Sequence, residues 1–216
     1  MPQRSFSWPV SFKTILVVDQ ELFHNTYNIR LFLRPTVSDV SEQSLFFERA
    51  KFLFEQVFEN TIVTNRGNRL FNTLRHNTVN RFVELPSSHP VDQIMATVCF
   101  TKINAILEGK IFVDKLELSS YQGDGITYTI EKDSPELALL DVDNWFTEKY
   151  NKFDPWWLRP DTATYDAELP KGIYTGNYSW HPLQQSTKRI DKEQGENAKI
   201  YKFTPRILDG DKGKKK

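Results

Sequence analysis

The feature that most constrains the fold is a change of hydrophobic period at Arg34-Pro35. Before it, Ile29, Leu31 and Leu33 alternate with Asn28, Arg30 and Phe32, and Ile15 to Val18 form a short apolar run. A period of two marks a strand with one buried face, so residues 12 to 34 are expected to be strands. After it, Leu45, Phe46, Arg49, Ala50, Leu53, Phe54, Val57 and Phe58 recur at three and four residues. That spacing lines one side of a helix, expected over residues 42 to 60 with Ser41 as its N-cap and Ser44 as a weaker alternative.

The same change happens in reverse further on. Val91, Ile94, Met95, Val98, Lys102, Ala105 and Ile106 predict a second helix over 89 to 107, with Ser88 before it and Pro90 in its first turn. Two strands are then expected, 110 to 119 and 126 to 132, joined by the tight connection Gln122-Gly123-Asp124-Gly125. Between the helices, Thr64-Asn65-Arg66-Gly67-Asn68 reads as a turn that opens an irregular segment through Asn80. The expected fold is α+β, a small antiparallel sheet packed against two helices. It divides into an N-terminal strand extension (1–40), a core (41–133) and a long, irregular aromatic and charged C-terminal arm (134–216).

Charge and composition narrow the partners. With 28 basic and 28 acidic side chains the chain has no net charge, so neither nucleic acid nor a membrane surface is an expected partner outside the lysine-rich tail. Apolar runs are short and no signal core follows Met1-Pro2-Gln3-Arg4, so a soluble, non-secreted protein is expected. The single cysteine, Cys99, excludes an intrachain disulfide and a thiolate metal site; beside Val98 on the second helix it is expected to be buried and inert.

Catalytic signals are sparse. His24-Asn25-Thr26 echoes His76-Asn77-Thr78, and two His-x-Thr motifs are the hallmark of two-histidine phosphodiesterases, in which one imidazole is base and the other acid. His89 and His181 precede prolines, and Asp141 and Asp143 lack a distal ligand, so structural roles are expected there. No glycine-rich phosphate loop is present. No cofactor and no metal are expected.

One longer block carries a family pattern. Thr64 to Phe71, with Gly67, Arg69 and Phe71, is followed by the second helix, by Glu108-Gly109-Lys110 and by a closing hairpin through Ile126 to Ile130. In this order it resembles the baseplate wedge proteins, or sheath initiators, of contractile phage tails, a lysozyme-like wedge family shared with type VI secretion baseplates. Leu70 and Thr73 stand where that family has prolines, and Gly109 and Lys110 replace the Pro and Arg of its Glu-Pro-Arg motif. The resemblance implies a structural virion protein, not an enzyme, that links the baseplate to the tail sheath and initiates sheath assembly. It implies assembly in the host cytoplasm, several copies per particle, and other wedge proteins and sheath subunits as partners. Glu108, Lys110, Arg69, Gly67 and Phe71 would lie at interfaces.

The arm extends that expectation. Trp156, Trp157, Tyr165, Tyr174, Tyr178 and Trp180 are interspersed with Pro155, Pro160 and Pro170 and follow neither helix nor strand period. They read as stiffened aromatic anchors for neighbouring subunits, with Trp156, Trp157, Tyr174 and Trp180 at the interface. The alternative is that they fold back onto the core of their own chain.

Overall fold

The computed structural model describes residues 5–65, 68–70, 73, 82–86, 91–140 and 154–165. Two long strands, β1 (Phe6–Val18) and β2 (Glu21–Pro35), form an antiparallel hairpin, turned at Asp19 in the left-handed region. Helix α1 (Val40–Phe52) follows and runs on into a π-helical turn, Leu53–Phe58. Two short strands, β3 (Thr61–Asn65) and β4 (Phe82–Leu85), precede helix α2 (Asp92–Leu107) and the hairpin of β5 (Ile111–Ser120) with β6 (Thr127–Glu131). Two 3-10 turns, Pro135–Leu140 and Trp156–Leu158, complete the described elements. Among the described residues no helix is long and apolar enough to cross a membrane.

The α+β class expected from the alternation of periods is correct, and the sheet is larger than expected. Its order is β4-β3-β1-β2-β5-β6. β1 to β2, β2 to β5 and β5 to β6 are antiparallel, whereas β3 runs parallel to β1 and β4 parallel to β3. The N-terminal strands, set apart by sequence as an extension, are the centre of the sheet. Strand β3 begins in a stretch assigned to no element and runs into Thr64 and Asn65, where turn chemistry was expected. Its Thr61-Ile62-Val63-Thr64 is buried throughout, and a strand covered on both faces has no polar alternation to reveal it.

The helices lie across one face. Phe12, Tyr27, Leu31 and Leu33 from the central hairpin meet Phe46, Leu53, Phe54 and Phe58 from the first helical segment and Met95, Val98, Ile103 and Ile106 from α2. Phe12 is ringed by Tyr27, Phe54 and Phe58 at centroid distances of 5.3, 5.8 and 5.4 Å. Asp39, not Ser41, caps α1: its carboxylate accepts from the Ser41 amide at 2.8 Å. Helix α2 begins at Asp92 after Val91, which offers no side-chain cap; Ser88 and Pro90 lie outside the described residues. Its C-cap is Glu108 in the left-handed conformation, followed by Gly109 at positive φ.

Two tryptophans expected at an interface belong to this core. Trp156 and Trp157 are 0% and 1% exposed. They pack edge to face at 5.8 Å within the cluster that holds α2. The described part of the arm therefore folds back onto its own chain, because two indoles give more apolar area than water will tolerate while a core beside them can take it.

Candidate functional site: the edges of the sheet

A sheet ends in rows of unpaired N–H and C=O groups, and these ask for partners. The β4 edge is fully covered. Glu84 donates its amide to Thr164 O at 3.0 Å, Trp156 Nε1 donates to Glu84 O at 2.9 Å, and Thr164 Oγ1 donates to Phe82 O. The covering segment is pinned in turn by Lys102 on α2, whose side chain is wholly buried. Its Nζ donates to Trp156 O at 2.8 Å and Arg159 O at 2.9 Å, and reaches Asp161 Oδ1 at 3.4 Å. Arg159 closes the group through Asp161 at 3.2 Å. A lysine appearing in an apolar helix repeat is thus a clamp, its charge solvated by carbonyl dipoles and one carboxylate.

Strand β1 extends past β3, which pairs only with Thr14, Ile15 and Leu16. Just before them Lys13 donates its amide to Glu59 Oε2 at 2.9 Å and its carbonyl accepts from the Asn60 amide at 2.8 Å. Lys13 therefore turns its backbone away from β2, and so by alternation do Ser11, Pro9 and Ser7. Pro9 places its missing N–H on this free edge, where the β1–β2 ladder loses nothing and a strand seeking to add there finds a gap.

Strand β6 has no such guard. At its end Glu131 turns outward, its amide donating to Ser134 Oγ at 2.8 Å and its carbonyl accepting from the Ser134 amide at 3.1 Å. Thr129 and Thr127 share that orientation, and among the described residues nothing pairs with their outward groups. Beside this edge, at the β5–β6 turn, Tyr121 is 78% and Ile126 53% exposed, and Leu22 and Phe23 are exposed at the neighbouring hairpin end. Among the described residues, free backbone groups and apolar side chains come together here.

The residues singled out by sequence are distributed otherwise. Glu108 accepts from Arg49 Nη1 at 3.1 Å, and Lys110 Nζ pairs with Glu42 at 2.7 Å. Both are thus pairs with α1, not with Arg69, which is exposed elsewhere. Arg49 also lies over the Phe46 ring at 4.3 Å. Thr36 donates its hydroxyl to Gly109 O and Lys110 O at 2.6 and 2.9 Å, so this turn ties α2 to the end of β2. Gly67, Phe71, Tyr174, Trp180 and His76 lie outside the described residues. His24 is exposed on β2. Cys99 is buried, and burial pushes its thiol well above the usual range, as expected for an inert side chain. Among the described residues no three His, Cys, Asp or Glu side chains are grouped to hold a metal.

No family model matches this sequence, and no curated protein matches it. Among solved structures, the chain is similar in fold to an uncharacterized protein from Wolinella succinogenes, at 10% identity and a TM-score of 0.44, covering 60% of this chain and 98% of that one. It is similar also to Plasmodium vivax 6-pyruvoyltetrahydropterin synthase, at 10% identity and a TM-score of 0.38, with the same coverages of 60% and 98%. A catalytic-residue mutant of that synthase aligns at 11% identity and the same TM-score of 0.38. At such values these likenesses, an enzyme's among them, assign no activity.

The baseplate reading is corrected. None of the neighbours named above is a baseplate wedge. The block from 42 to 132 is not a unit of its own either, because its sheet continues into β1 and β2 and its core closes over Trp156 and Trp157. The motif positions that suggested the family, Glu108 and Lys110, are used within the chain to fasten α1. The two-histidine alternative needs His24 and His76 to face one another, and His76 lies outside the described residues.

Proposed function

We propose that this protein is a non-catalytic interaction subunit that docks a partner polypeptide along β6 and the apolar end beside it. The observation that carries this reading is the contrast among edges: β4 is covered, β1 is guarded by Pro9 and Glu59, and β6 presents Thr127 and Thr129 with no pairing partner among the described residues, beside Tyr121 and Ile126. An added strand would bond to those threonines through its main chain and set apolar side chains on Tyr121 and Ile126, which combines affinity with specificity. Support for a binding role comes also from the charged groups, since Arg49, Lys102, Lys110, Glu108 and Asp161 are all occupied in holding the fold together.

The test is Thr129→Pro. Its amide is not used in the β5–β6 ladder, so the melting temperature of the variant should stay within a few degrees of the parent. Co-purification and sedimentation of the full chain should then lose the associated partner, whether another protein or a second copy. Retention of the same partners by a folded Thr129→Pro chain would overturn the reading.

A further inference from the structure

The core face of the sheet carries a polar island where β1, β2 and β5 meet. Thr14 on β1 stands directly opposite Asn25 on β2, and Tyr27, two residues further, faces Ser120 on β5. Thr14, Asn25, Tyr27 and Ser120 are 3%, 3%, 0% and 7% exposed. Ser120 Oγ is bonded to Asp92 Oδ2 at 2.6 Å, which brings the first residue of α2 onto the island. Gly123 approaches so closely that a β-carbon there would stand 2.3 Å from the same oxygen. Asn25 Oδ1 accepts from the Gln122 amide at 3.1 Å.

Three polar atoms of the island then have no hydrogen-bond partner among the described residues: Thr14 Oγ1, Asn25 Nδ2 and Tyr27 Oη. Asn25 lies close enough to Tyr27 to act on its hydroxyl, yet the two do not meet hydrogen-bond geometry. Such buried groups are costly alone, and three on one patch beside a carboxyl are not a scattered defect. Nδ2 can only donate, while both hydroxyls can donate or accept, so what satisfies them is an atom that accepts from the amide and exchanges hydrogen bonds with the hydroxyls.

We propose that Thr14, Asn25 and Tyr27 form an internal site for a small oxygen ligand, water in the free protein, that links the central hairpin to Asp92 at the start of α2. Its size is bounded by close packing, since Phe12 lies against Tyr27 at 5.3 Å and Phe58 against Phe12 at 5.4 Å, so the ligand is one or two waters and nothing larger. Its role follows from α2, which has no side-chain cap of its own; the site supplies a polar anchor for that end. The inference is independent of docking at β6.

The experiment uses Thr14→Val and Tyr27→Phe, which remove one hydroxyl each and keep the shape. If the hydroxyls hold a water, Thr14→Val leaves it and its remaining partners short of a bond, and the unfolding equilibrium constant should rise about tenfold. If they hold nothing, valine relieves a buried unpaired group and stability rises or stays level, which overturns the proposal. Magnetisation transfer from water to the Asn25 side-chain amide of the native chain gives a second measurement that needs no variant. A long-lived water contact there is expected, and it should be lost in the Thr14→Val/Tyr27→Phe double variant. Absence of that contact in the native protein overturns the proposal as well.

Discussion

The two ends of the sheet show how one chain treats the same physical problem in opposite ways. At β4 a segment 72 to 82 residues away in sequence is drawn across the edge, satisfies Glu84 and Phe82, and buries two tryptophans. At β6, among the described residues, the edge stays open except where Ser134 closes the last residue. The difference lies in what stands behind each edge. Behind β4 is apolar surface from α2, and covering it gains far more than the backbone bonds alone would give, so the cover is part of the core. Beside β6 the outward side chains are Thr127, Thr129 and Glu131, which water already satisfies, and nothing of the described chain is pulled over them. An open edge that survives next to exposed Tyr121 and Ile126 is the kind of surface that partners use.

The comparison is broken most forcefully by removing the cover. Trp156→Ala deletes one of the two largest fully buried side chains and the bond to Glu84 O, and should cost about 3–5 kcal/mol in urea unfolding. Amide exchange at Glu84 should rise toward the fast rates expected at Thr127 and Thr129. A loss below about 1 kcal/mol would mean that the edge is held by something other than this segment.

Lys102→Met tests the clamp instead of the cover. It keeps the apolar stem but strands the Trp156 and Arg159 carbonyls and leaves Asp161 to Arg159 and the Ala163 amide, and removing a buried charged group in this way should cost roughly 3 kcal/mol. Exchange should speed up through 154–165 while β5 and the β6 amides that pair with it remain protected. Equal loosening of both ends would show that the two edges are not independent.

The smallest effect concerns the open side, where Asp92 holds Ser120 at the start of the β5–β6 turn. Burial raises the Asp92 carboxyl above its ordinary 3.8, with the Ser120 hydrogen bond pulling in the other direction. The native state then keeps its proton to higher pH than the unfolded chain does, so the native state binds more protons and stability from this group falls as pH rises. Its contribution is fully present below about 3.8 and is lost as pH climbs through the raised native value. Asp92→Asn should remove that slope, so the difference in urea midpoint between parent and variant should drift in favour of the variant across this acidic range. A difference that drifts the opposite way would show that Ser120, not burial, governs the carboxyl.

Much of the architecture was legible because hydrophobic period is a local property. The alternation around Ile29 and Leu31, the three-and-four spacing from Leu45 and the repeat from Val91 place β2, α1 and α2 within a few residues of where they lie. Cys99 was legible for the same reason, as a small apolar residue on a buried helix face. The errors share a different cause. Glu108 and Lys110 looked like interface charges because their partners, Arg49 and Glu42, stand far earlier in the chain and no spacing rule connects them. Lys102 looked like an ordinary member of a helical repeat, although a lysine in an apolar stripe was itself a signal that buried oxygens had to be near it.

What the sequence alone determined, then, is the set of elements and which face of each is apolar, since both depend on residues within one or two turns of each other. Only the tertiary structure decided which edges close. That β1 and β2 sit in the middle of the sheet, that β3 and β4 join parallel beside them, and that Trp156 and Trp157 turn inward all depend on pairings between distant segments. Such pairings are settled by total buried area and by whether every backbone N–H finds an acceptor, and both quantities exist only once the whole chain has folded.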